Sequence, residues 1–190
     1  MSKPRYFRLT KDMQARGWDL GDPLDEHGQE VDDPWMFRAG RPVRVSGRLA
    51  IPVEGAGRRM DFMTAGIGVT PVVHARVASL FAELAPSDVE FLPVDIQRCP
   101  DPYLIMVATK LIRCIDDKAS REVQYWKPED ERPDKLGQYR AVSGLRIDAA
   151  KVGDARVFRT WGWDIALIVS EDIKLAFKRA KVTGAEFTEV

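Results

Sequence analysis

The sequence has no net charge, because its 29 lysines and arginines balance 29 aspartates and glutamates among 190 residues. A balanced chain has no overall field that would attract nucleic acid or an acidic membrane, so electrostatic recognition must come from local patches. The sequence also lacks any run near the roughly 18 apolar residues of a membrane helix. Its first ten residues contain no apolar segment for export. We therefore expect a cytoplasmic protein that binds neither nucleic acid nor membranes.

Cysteine and histidine are scarce as well. The two cysteines, Cys99 and Cys114, have no CxxC spacing and lie in or beside apolar, strand-like sequence. This placement is typical of reduced thiols in an ordinary cytosolic protein. The two histidines, His27 and His74, are far apart in sequence and do not complete a metal-ligand set with the cysteines. We predict no metal and no cofactor.

Two short segments contain residue types that occur at active sites. Residues 66–74, GIGVTPVVH, place two glycines before a predicted helix and can present N–H groups to phosphate. They lack the GK[ST] of a P-loop, so a tight turn is the simpler interpretation. In RCIDDKAS, Cys114, Asp116 and Ser120 cluster at a strand end with no histidine nearby to activate a nucleophile. We predict a small buried cysteine there and no catalytic residue.

The chain matches itself when it is shifted by 96 positions without a gap, so that residues 62–94 fall on 158–190. Eight of the 33 pairs are identical, where composition alone gives roughly two. The identical pairs are Phe62/Phe158, Thr64/Thr160, Gly66/Gly162, Val73/Val169, Phe81/Phe177, Glu90/Glu186, Phe91/Phe187 and Val94/Val190. We interpret the two segments as copies of one structural unit, in which VEFLPV (89–94) and AEFTEV (185–190) are equivalent strands.

Each copy contains an amphipathic helix. Apolar side chains recur at positions i, i+3, i+4 and i+7, which places them on one face of a helix. In the first copy they are Val77, Leu80, Phe81 and Leu84, and in the second Ile173, Ala176, Phe177 and Ala180. Helices are predicted over 74–85 and 171–181, the second with Ser170 as its N-cap and Gly184 just beyond its end in a left-handed conformation.

Runs rich in β-branched and aromatic residues predict the strands. These runs are RYFRLT (5–10), RPVRVSGRLAIPV (41–53), DVEFLPVDIQR (88–98), YLIMVATKLIRCID (103–116), YRAVSGLRID (139–148) and ARVFRT (155–160). The polar segment 116–139, which contains two prolines, is interpreted as a long loop. The predicted fold is α+β: a mostly antiparallel or mixed sheet with two amphipathic helices and an internal repeat, with Phe81, Phe91, Phe177 and Phe187 buried.

Charge is segregated along the chain even though it balances overall. Residues 19–34 carry seven carboxylates and no lysine or arginine, and four arginines follow between residues 38 and 48. Such a run is commonly a solvated loop. The alternative is a docking surface for a basic protein, since complementary charge raises the association rate and selects the partner.

Aromatic residues in polar surroundings favour the docking alternative. Trp161 and Trp163 flank a glycine at a predicted turn, and Tyr125 and Trp126 lie in the long polar segment. Tryptophan and tyrosine are frequent interface anchors, although they can equally fold back over a sheet edge. The predicted partner-binding residues are Asp22, Asp25, Glu26, Asp32, Asp33, Tyr125, Trp126, Trp161 and Trp163.

The whole chain resembles the myxobacterial-type immunity proteins of bacterial polymorphic toxin systems. The resemblance is carried, in order, by WMFRAGRPV (35–43), DFMTAGIGVTPVVHARVASLF (61–81), DVEFLPVDI (88–96), LIRCIDDKAS (111–120), LRIDAAKVGDARVFR (145–159) and IVSEDIKLAFKRAKVTGAEFTEV (168–190). Many relatives carry serine at the start of the first helix, where this chain has His74, which can also cap a helix.

The resemblance implies a single immunity-protein-like domain over residues 1–190 that binds a cognate protein toxin in the cytoplasm and blocks it. The family has no agreed catalytic residues, so none is transferred to this chain. Two alternatives remain open. One is a small hydrolase that reverses a toxin's modification, with the 66–74 turn, Cys114, Ser120 and a histidine at one pocket. The other is a scaffolding or self-assembly module that uses an exposed sheet edge.

Overall fold

A computed structural model describes residues 4–190 of the chain. In this part of the chain there are fourteen strands and two helices. In chain order they are β1 (Tyr6–Lys11), β2 (Asp19–Leu20), β3 (Leu49–Ile51), β4 (Val53–Gly55), β5 (Phe62–Ala65), β6 (Thr70–His74), α1 (Ala75–Leu84), β7 (Val89–Ile96), β8 (Tyr103–Ala108), β9 (Leu111–Ile112), β10 (Glu122–Tyr125), β11 (Tyr139–Ser143), β12 (Val157–Thr160), β13 (Trp163–Ser170), α2 (Glu171–Arg179) and β14 (Ala185–Glu189).

The strands form three sheets. A seven-stranded sheet has the order β3-β7-β8-β6-β5-β2-β4, a five-stranded sheet the order β14-β1-β13-β12-β9, and β10 pairs with β11 alone. Most neighbours are antiparallel, whereas β3/β7, β2/β5 and β9/β12 are parallel. The α+β class with mixed sheets and two helices is therefore confirmed. No helix within residues 4–190 has the length and apolar content required to cross a membrane.

Both helices begin close to where the sequence predicts. The His74 side chain caps α1, because its Nδ1 accepts a hydrogen bond from the Arg76 N–H at 3.2 Å. Ser170 occupies the equivalent position before α2, but its hydroxyl makes no capping bond and is buried without a partner within residues 4–190. Gly184 has the predicted left-handed conformation, with φ of 86°. The periodicity thus places both helices correctly, and only one of the two caps forms.

The two helices share one hydrophobic core. Phe81 of α1 is 0% exposed and Phe177 of α2 is 2% exposed, as predicted, and their rings meet edge to face with centroids 5.4 Å apart. Phe91 continues this row beyond Phe81 at 6.4 Å, and Phe187 continues it beyond Phe177 at 5.4 Å. Four aromatic rings therefore run through the core that joins the two predicted units.

The prediction that Phe91 and Phe187 are buried is wrong, because both are only partly buried. Phe187 lies on β14, which is the edge strand of its sheet. Phe91 lies in the first half of β7, whereas the neighbouring strand β3 pairs only with Val94–Ile96 in the second half. Both rings thus pack on the core from strands with one open side.

The order of elements agrees in the two predicted copies, but their register does not. Each predicted copy consists of a hairpin, a helix and a last strand. In the sheet, a strand from outside the copy lies between the last strand and the hairpin. This strand is β8 in the first copy and β1 in the second. Phe62 pairs with Val73, whereas Val157 pairs with Val169 and Phe158 with Ile168. Phe62 and Val157 face the helices, whereas Phe158 packs in a different cluster. The gap-free match aligns Phe62 with Phe158, whereas the structural equivalent of Phe62 is Val157. The match is therefore wrong by one residue in the first strand.

The interpretation of 116–139 as a long loop is also wrong. The segment contains β10, which pairs antiparallel with β11, and two short 3-10 turns at Pro128–Asp130 and Pro133–Lys135. Three of the four residues of β10 are exposed. The alternation in β10, EVQY, covers only four residues within a polar segment, which is too short to distinguish a strand from a loop.

Two carboxylates tie distant parts of the chain together. Asp88, 4% exposed, accepts hydrogen bonds from the N–H groups of Arg156 at 2.7 Å and Val157 at 3.1 Å, and pairs with Lys110 Nζ at 2.7 Å. It thereby fixes the connection between α1 and β7 to the start of β12.

Asp61 links α1 to the segment that follows α2. Its carboxylate accepts a hydrogen bond from Arg76 Nε at 2.7 Å. It also accepts hydrogen bonds from the N–H and the hydroxyl of Thr183, both at 2.8 Å. Burial alone would raise the pKa of Asp61, but the bonds from Arg76 and Thr183 outweigh it and lower the pKa to about 2. The carboxylate is therefore ionised wherever the native contacts persist.

Candidate functional site

Four of the five tryptophans line one open cleft of about 560 Å³. They are Trp35, Trp126, Trp161 and Trp163, and they come from three separate parts of the chain. We call this the tryptophan cleft. Three of these residues were predicted to bind a partner, whereas Trp35 was not.

The turn between β12 and β13 forms one side of the cleft. Gly162 adopts φ of 79°, in the left-handed region that favours glycine, and so places Trp161 and Trp163 on either side of a tight turn. The turn is held from two directions. The Trp161 N–H donates to the Ile112 carbonyl at 2.8 Å, and the Gly162 carbonyl accepts from the Tyr139 N–H at 3.0 Å. The two indoles therefore project from a fixed turn rather than from a free loop.

The β10–β11 ribbon and its connection form the second side. The Trp126 N–H donates to the Gln138 carbonyl at 3.0 Å, which closes the base of the connection. Asp130 then accepts from the Lys127 N–H at 2.9 Å and pairs with Arg140 at 2.8 Å. These contacts give the polar 126–140 segment a defined shape without a hydrophobic core of its own.

Trp35 forms the third side and joins the cleft to the acidic stretch. The Asp33 carboxylate accepts from the Trp35 N–H at 2.9 Å and so starts the short 3-10 turn Met36–Arg38. Phe37 in this turn is fully buried, whereas Trp35 is 41% exposed. The buried phenylalanine thus anchors the turn that holds the exposed indole at the rim.

Every tryptophan in the cleft has an arginine guanidinium over its ring. The distances from the guanidinium carbon to the ring centroid are 4.4 Å for Arg38 on Trp35, 4.3 Å for Arg113 on Trp161, 5.0 Å for Arg8 on Trp163, and 5.8 and 5.6 Å for Arg132 and Arg140 on Trp126. Such contacts contribute about 0.5–1 kcal/mol each at exposed sites. They hold the indoles in place before any partner arrives.

The lining of the cleft is mainly basic. Arg38, Arg132, Lys135 and Arg140 contribute positive charge, and Asp164 is the one acidic residue that lines it. Part of this charge is neutralised locally, because Asp164 lies 3.2 Å from Arg38 Nε, and Asp134 lies 2.9 Å from Arg132. The cleft therefore differs in sign from the acidic stretch that ends at its rim.

Tyr125, which was predicted together with Trp126, lies outside the cleft. Its ring stacks on Tyr139 with centroids 4.9 Å apart, and both hydroxyls donate to the Asp117 carboxylate, that of Tyr139 at 2.6 Å. The bond to Asp117 raises the pKa of Tyr125, whereas burial, then the same carboxylate, raises the pKa of Tyr139. This pair stiffens the ribbon that carries Trp126.

The predicted acidic residues divide into two kinds. Asp22 accepts from the Ile67 N–H at 3.0 Å, and Asp25 accepts from His27 N–H at 2.8 Å and Gln29 N–H at 2.9 Å. The bond from Gln29 is the main reason why the pKa of Asp25 is lowered. With Asp33, these carboxylates stabilise turns. Glu26, Glu30 and Asp32 are exposed and supply the surface charge.

The residues considered for catalysis lie in separate places. Cys114 is fully buried, and burial raises the pKa of its thiol to about 12. Ser120 bonds to the backbone of Arg146, His74 caps α1, and His27 is exposed beside Glu26. The turn after β5 also offers little to phosphate, because the Asp22 carboxylate already accepts the Ile67 N–H.

Sequence reasoning missed the basic residues and Trp35. Arg132 and Arg140 look like ordinary surface charges in a polar segment, and DDPW looks like the end of an acidic run. The available signal was the spacing of an exposed tryptophan beside a basic residue, as in Trp35 and Arg38. Only the fold shows that these pairs surround one cleft.

Comparison with protein families gives a match over nearly the whole chain. The model of a family described as Immunity protein family (Imm11) matches residues 5–190. A search of the curated proteins finds no match.

Proposed function

We propose, from the premise that this chain belongs to the Imm11 immunity protein family, that it neutralises a cognate protein toxin by binding it at the tryptophan cleft. The membership confirms the resemblance to immunity proteins that the sequence indicated. The binding site is our inference from the structure. The observation that supports it is the gathering of Trp35, Trp126, Trp161 and Trp163 around one open cleft.

Tryptophan and arginine are the residue types most enriched at binding hot spots. Here they are combined, because each cleft indole lies against an arginine of the same chain. Side chains that are already held lose less rotamer freedom when a partner binds, so more of the contact energy contributes to affinity. The cleft has the composition and rigidity of an anchor site.

The charge around the cleft suggests what the toxin presents there. Lys135 and Arg132 at the rim favour a segment that carries carboxylates beside an apolar or aromatic side chain. Glu26, Glu30 and Asp32, on the acidic stretch that leads to Trp35, favour a basic region of the same toxin. The proposed interface is therefore composite, with an anchoring cleft and an acidic steering surface.

We further propose that inhibition is stoichiometric, without a reaction of its own, and that it takes place in the cytoplasm by a single domain. The duplicated unit is part of the same proposal. Two copies of hairpin, helix and strand would build a common core, and the turn of the second hairpin, Trp161 to Trp163, would have become the binding turn. The shorter turn of the second hairpin, together with the irregularity in pairing between Arg159 and Thr160, would account for the one-residue shift in register.

The decisive experiment measures binding of the cognate toxin domain to variants of this chain. Trp35→Ala and Trp126→Ala should each speed dissociation by tenfold or more, because a hot-spot anchor contributes about 2 kcal/mol or more. Leu175→Ala is the matched control, since Leu175 is 42% exposed against 41% for Trp35 and lies on α2 outside the cleft. Loss of protection in co-expressing cells should follow the same order.

A second series tests the steering surface. Glu26→Gln, Glu30→Gln and Asp32→Asn remove exposed charge without touching the carboxylates that hold turns. Association should slow and its dependence on salt should weaken, because rim charges act mainly on the rate of encounter. If dissociation of both tryptophan variants and association of this triple variant equal the wild-type values, the interface lies elsewhere on the molecule.

A further inference from the structure

A second, smaller cavity is lined by the buried Arg159 and the partly buried Arg8. Its volume is about 90 Å³, and it lies between β1, the β5–β6 hairpin and the β12–β13 hairpin. The polar residues that line it include Arg8, Lys11, Arg159, Thr10 and Thr64, and the remainder of its wall is apolar. We call it the arginine cavity. It adjoins the tryptophan cleft, since Ile165 lines both and Arg8 also lies over the ring of Trp163.

Arg159 is only 2% exposed, which is rare for an arginine without an acidic partner. Its Nη1 donates to the carbonyls of Asp164 at 3.3 Å and Ile165 at 3.2 Å. Its Nε and Nη2 are buried and have no hydrogen-bond partner within residues 4–190, and neither does Nε of Arg8. Nearly all buried polar groups in native proteins are paired, and a buried charge without a partner is costly.

The surrounding charges do not balance these groups. Asp164 lies 3.2 Å from Arg38 Nε. Its single negative charge is set against the positive charges of three nearby guanidinium groups, those of Arg8, Arg38 and Arg159. Burial lowers the pKa of Arg159 to about 9, and burial also lowers the pKa of Arg8. Both groups remain charged at neutral pH. The arginine cavity is thus a small, desolvated site with excess positive charge.

We infer that the arginine cavity binds a small phosphate-type oxyanion between Arg8 and Arg159. A guanidinium presents its N–H groups as a planar fork that matches two oxygens of such an ion. The unpartnered Nε and Nη2 of Arg159 form such a fork, and Nε of Arg8 adds a third donor. Thr10 and Thr64 bring hydroxyl groups to the same wall.

The size of the cavity decides between a free ion and a larger molecule. One water requires about 10–15 Å³ of such a volume, so about 90 Å³ holds several waters or one compact ion. A nucleotide or a nucleic-acid backbone does not fit. The ligand is therefore free phosphate or sulfate, bound within the fold as a stabilising ion, and this role does not depend on the identity of the toxin.

The test is thermal unfolding of the purified chain in sodium phosphate and in sodium chloride at equal ionic strength and pH 7. A ligand that binds only the native state raises Tm, by about 5–11 °C at a hundredfold excess over Kd for a chain of this size. Arg159→Met and Arg8→Met should each abolish the difference between the two salts. Arg44→Met is the control, because Arg44 is exposed and does not line the cavity, and it should retain the full difference.

Two results would overturn the inference. One is an equal Tm of the wild-type chain in both salts. The other is a phosphate effect that persists in both cavity variants, which would assign it to the surface. If Arg159→Met does not fold, Arg8→Met and calorimetric titration of the wild-type chain with phosphate decide the matter. Adenosine monophosphate is the final arm: stabilisation equal to that by phosphate would refute the assignment of a free ion.

Discussion

Replacing Phe81 by alanine should remove the centre of the core that the two helices share. Phe81 is 0% exposed and touches Phe91 on one side and Phe177 on the other, with centroids 6.4 and 5.4 Å away. Truncation of a buried phenylalanine costs about 3–5 kcal/mol. A domain has about 5–15 kcal/mol of stability, so Phe81→Ala and Phe177→Ala should fold but unfold at markedly lower urea concentration.

A double-mutant cycle then tests whether the two helices depend on each other for stability. In this cycle Phe81 and Phe177 are replaced by leucine. Two alanine replacements together would cost nearly as much as the whole free energy of unfolding of the domain. The edge-to-face contact should give a coupling energy of about 0.5–1.5 kcal/mol. Leu175→Ala, at an exposed position of α2, should change the free energy of unfolding by less than about 0.5 kcal/mol. Strict additivity, or a loss below about 1 kcal/mol for either alanine variant, would refute a common core.

The remaining predictions concern buried polar groups. Because the native pKa of Asp61 is lowered to about 2, its contribution is present above about pH 4 and is lost as pH falls toward 2. Its side chain is 15% exposed, so Asp61→Asn should cost about 1–2 kcal/mol at pH 7 and flatten the acid limb of a stability profile. Asp88→Asn should cost about 2–3 kcal/mol in urea unfolding, because it removes the buried charge that pairs with Lys110 at 2.7 Å and accepts hydrogen bonds from two backbone N–H groups. Cys114→Ala and Ser120→Ala should leave protection of toxin-expressing cells intact; its loss in a folded variant would exclude inhibition by binding alone.

The sequence was most informative where one face of an element is buried. The stripes around Phe81 and Phe177 predict both helices to within a few residues, because each helix has a single apolar face on the core. The partial burial of Phe91 and Phe187 was missed, since strand register and sheet edges depend on which other strand lies alongside. Those neighbours come from distant parts of the chain, and no local pattern encodes them.

The same distinction applies to the site. Trp126, Trp161 and Trp163 could be selected because large aromatic side chains in polar surroundings are unusual. Trp35 was missed, and the acidic residues were treated as one group, although Asp22, Asp25 and Asp33 hold turns. Strand β10 was missed because it is short and mostly exposed, whereas its partner β11 lies in a segment that was predicted as a strand. The cleft exists only through the meeting of these three regions, which is a property of the tertiary structure.

The concentration of tryptophans has an optical consequence. Because four of the five indoles lie in one cleft, the intrinsic emission of the protein reports chiefly on that cleft and little on the phenylalanine core between the helices. Emission and far-ultraviolet circular dichroism therefore observe different regions of the molecule. A contact that covers or displaces the indoles should change the spectrum of the unlabelled protein while its helices remain intact.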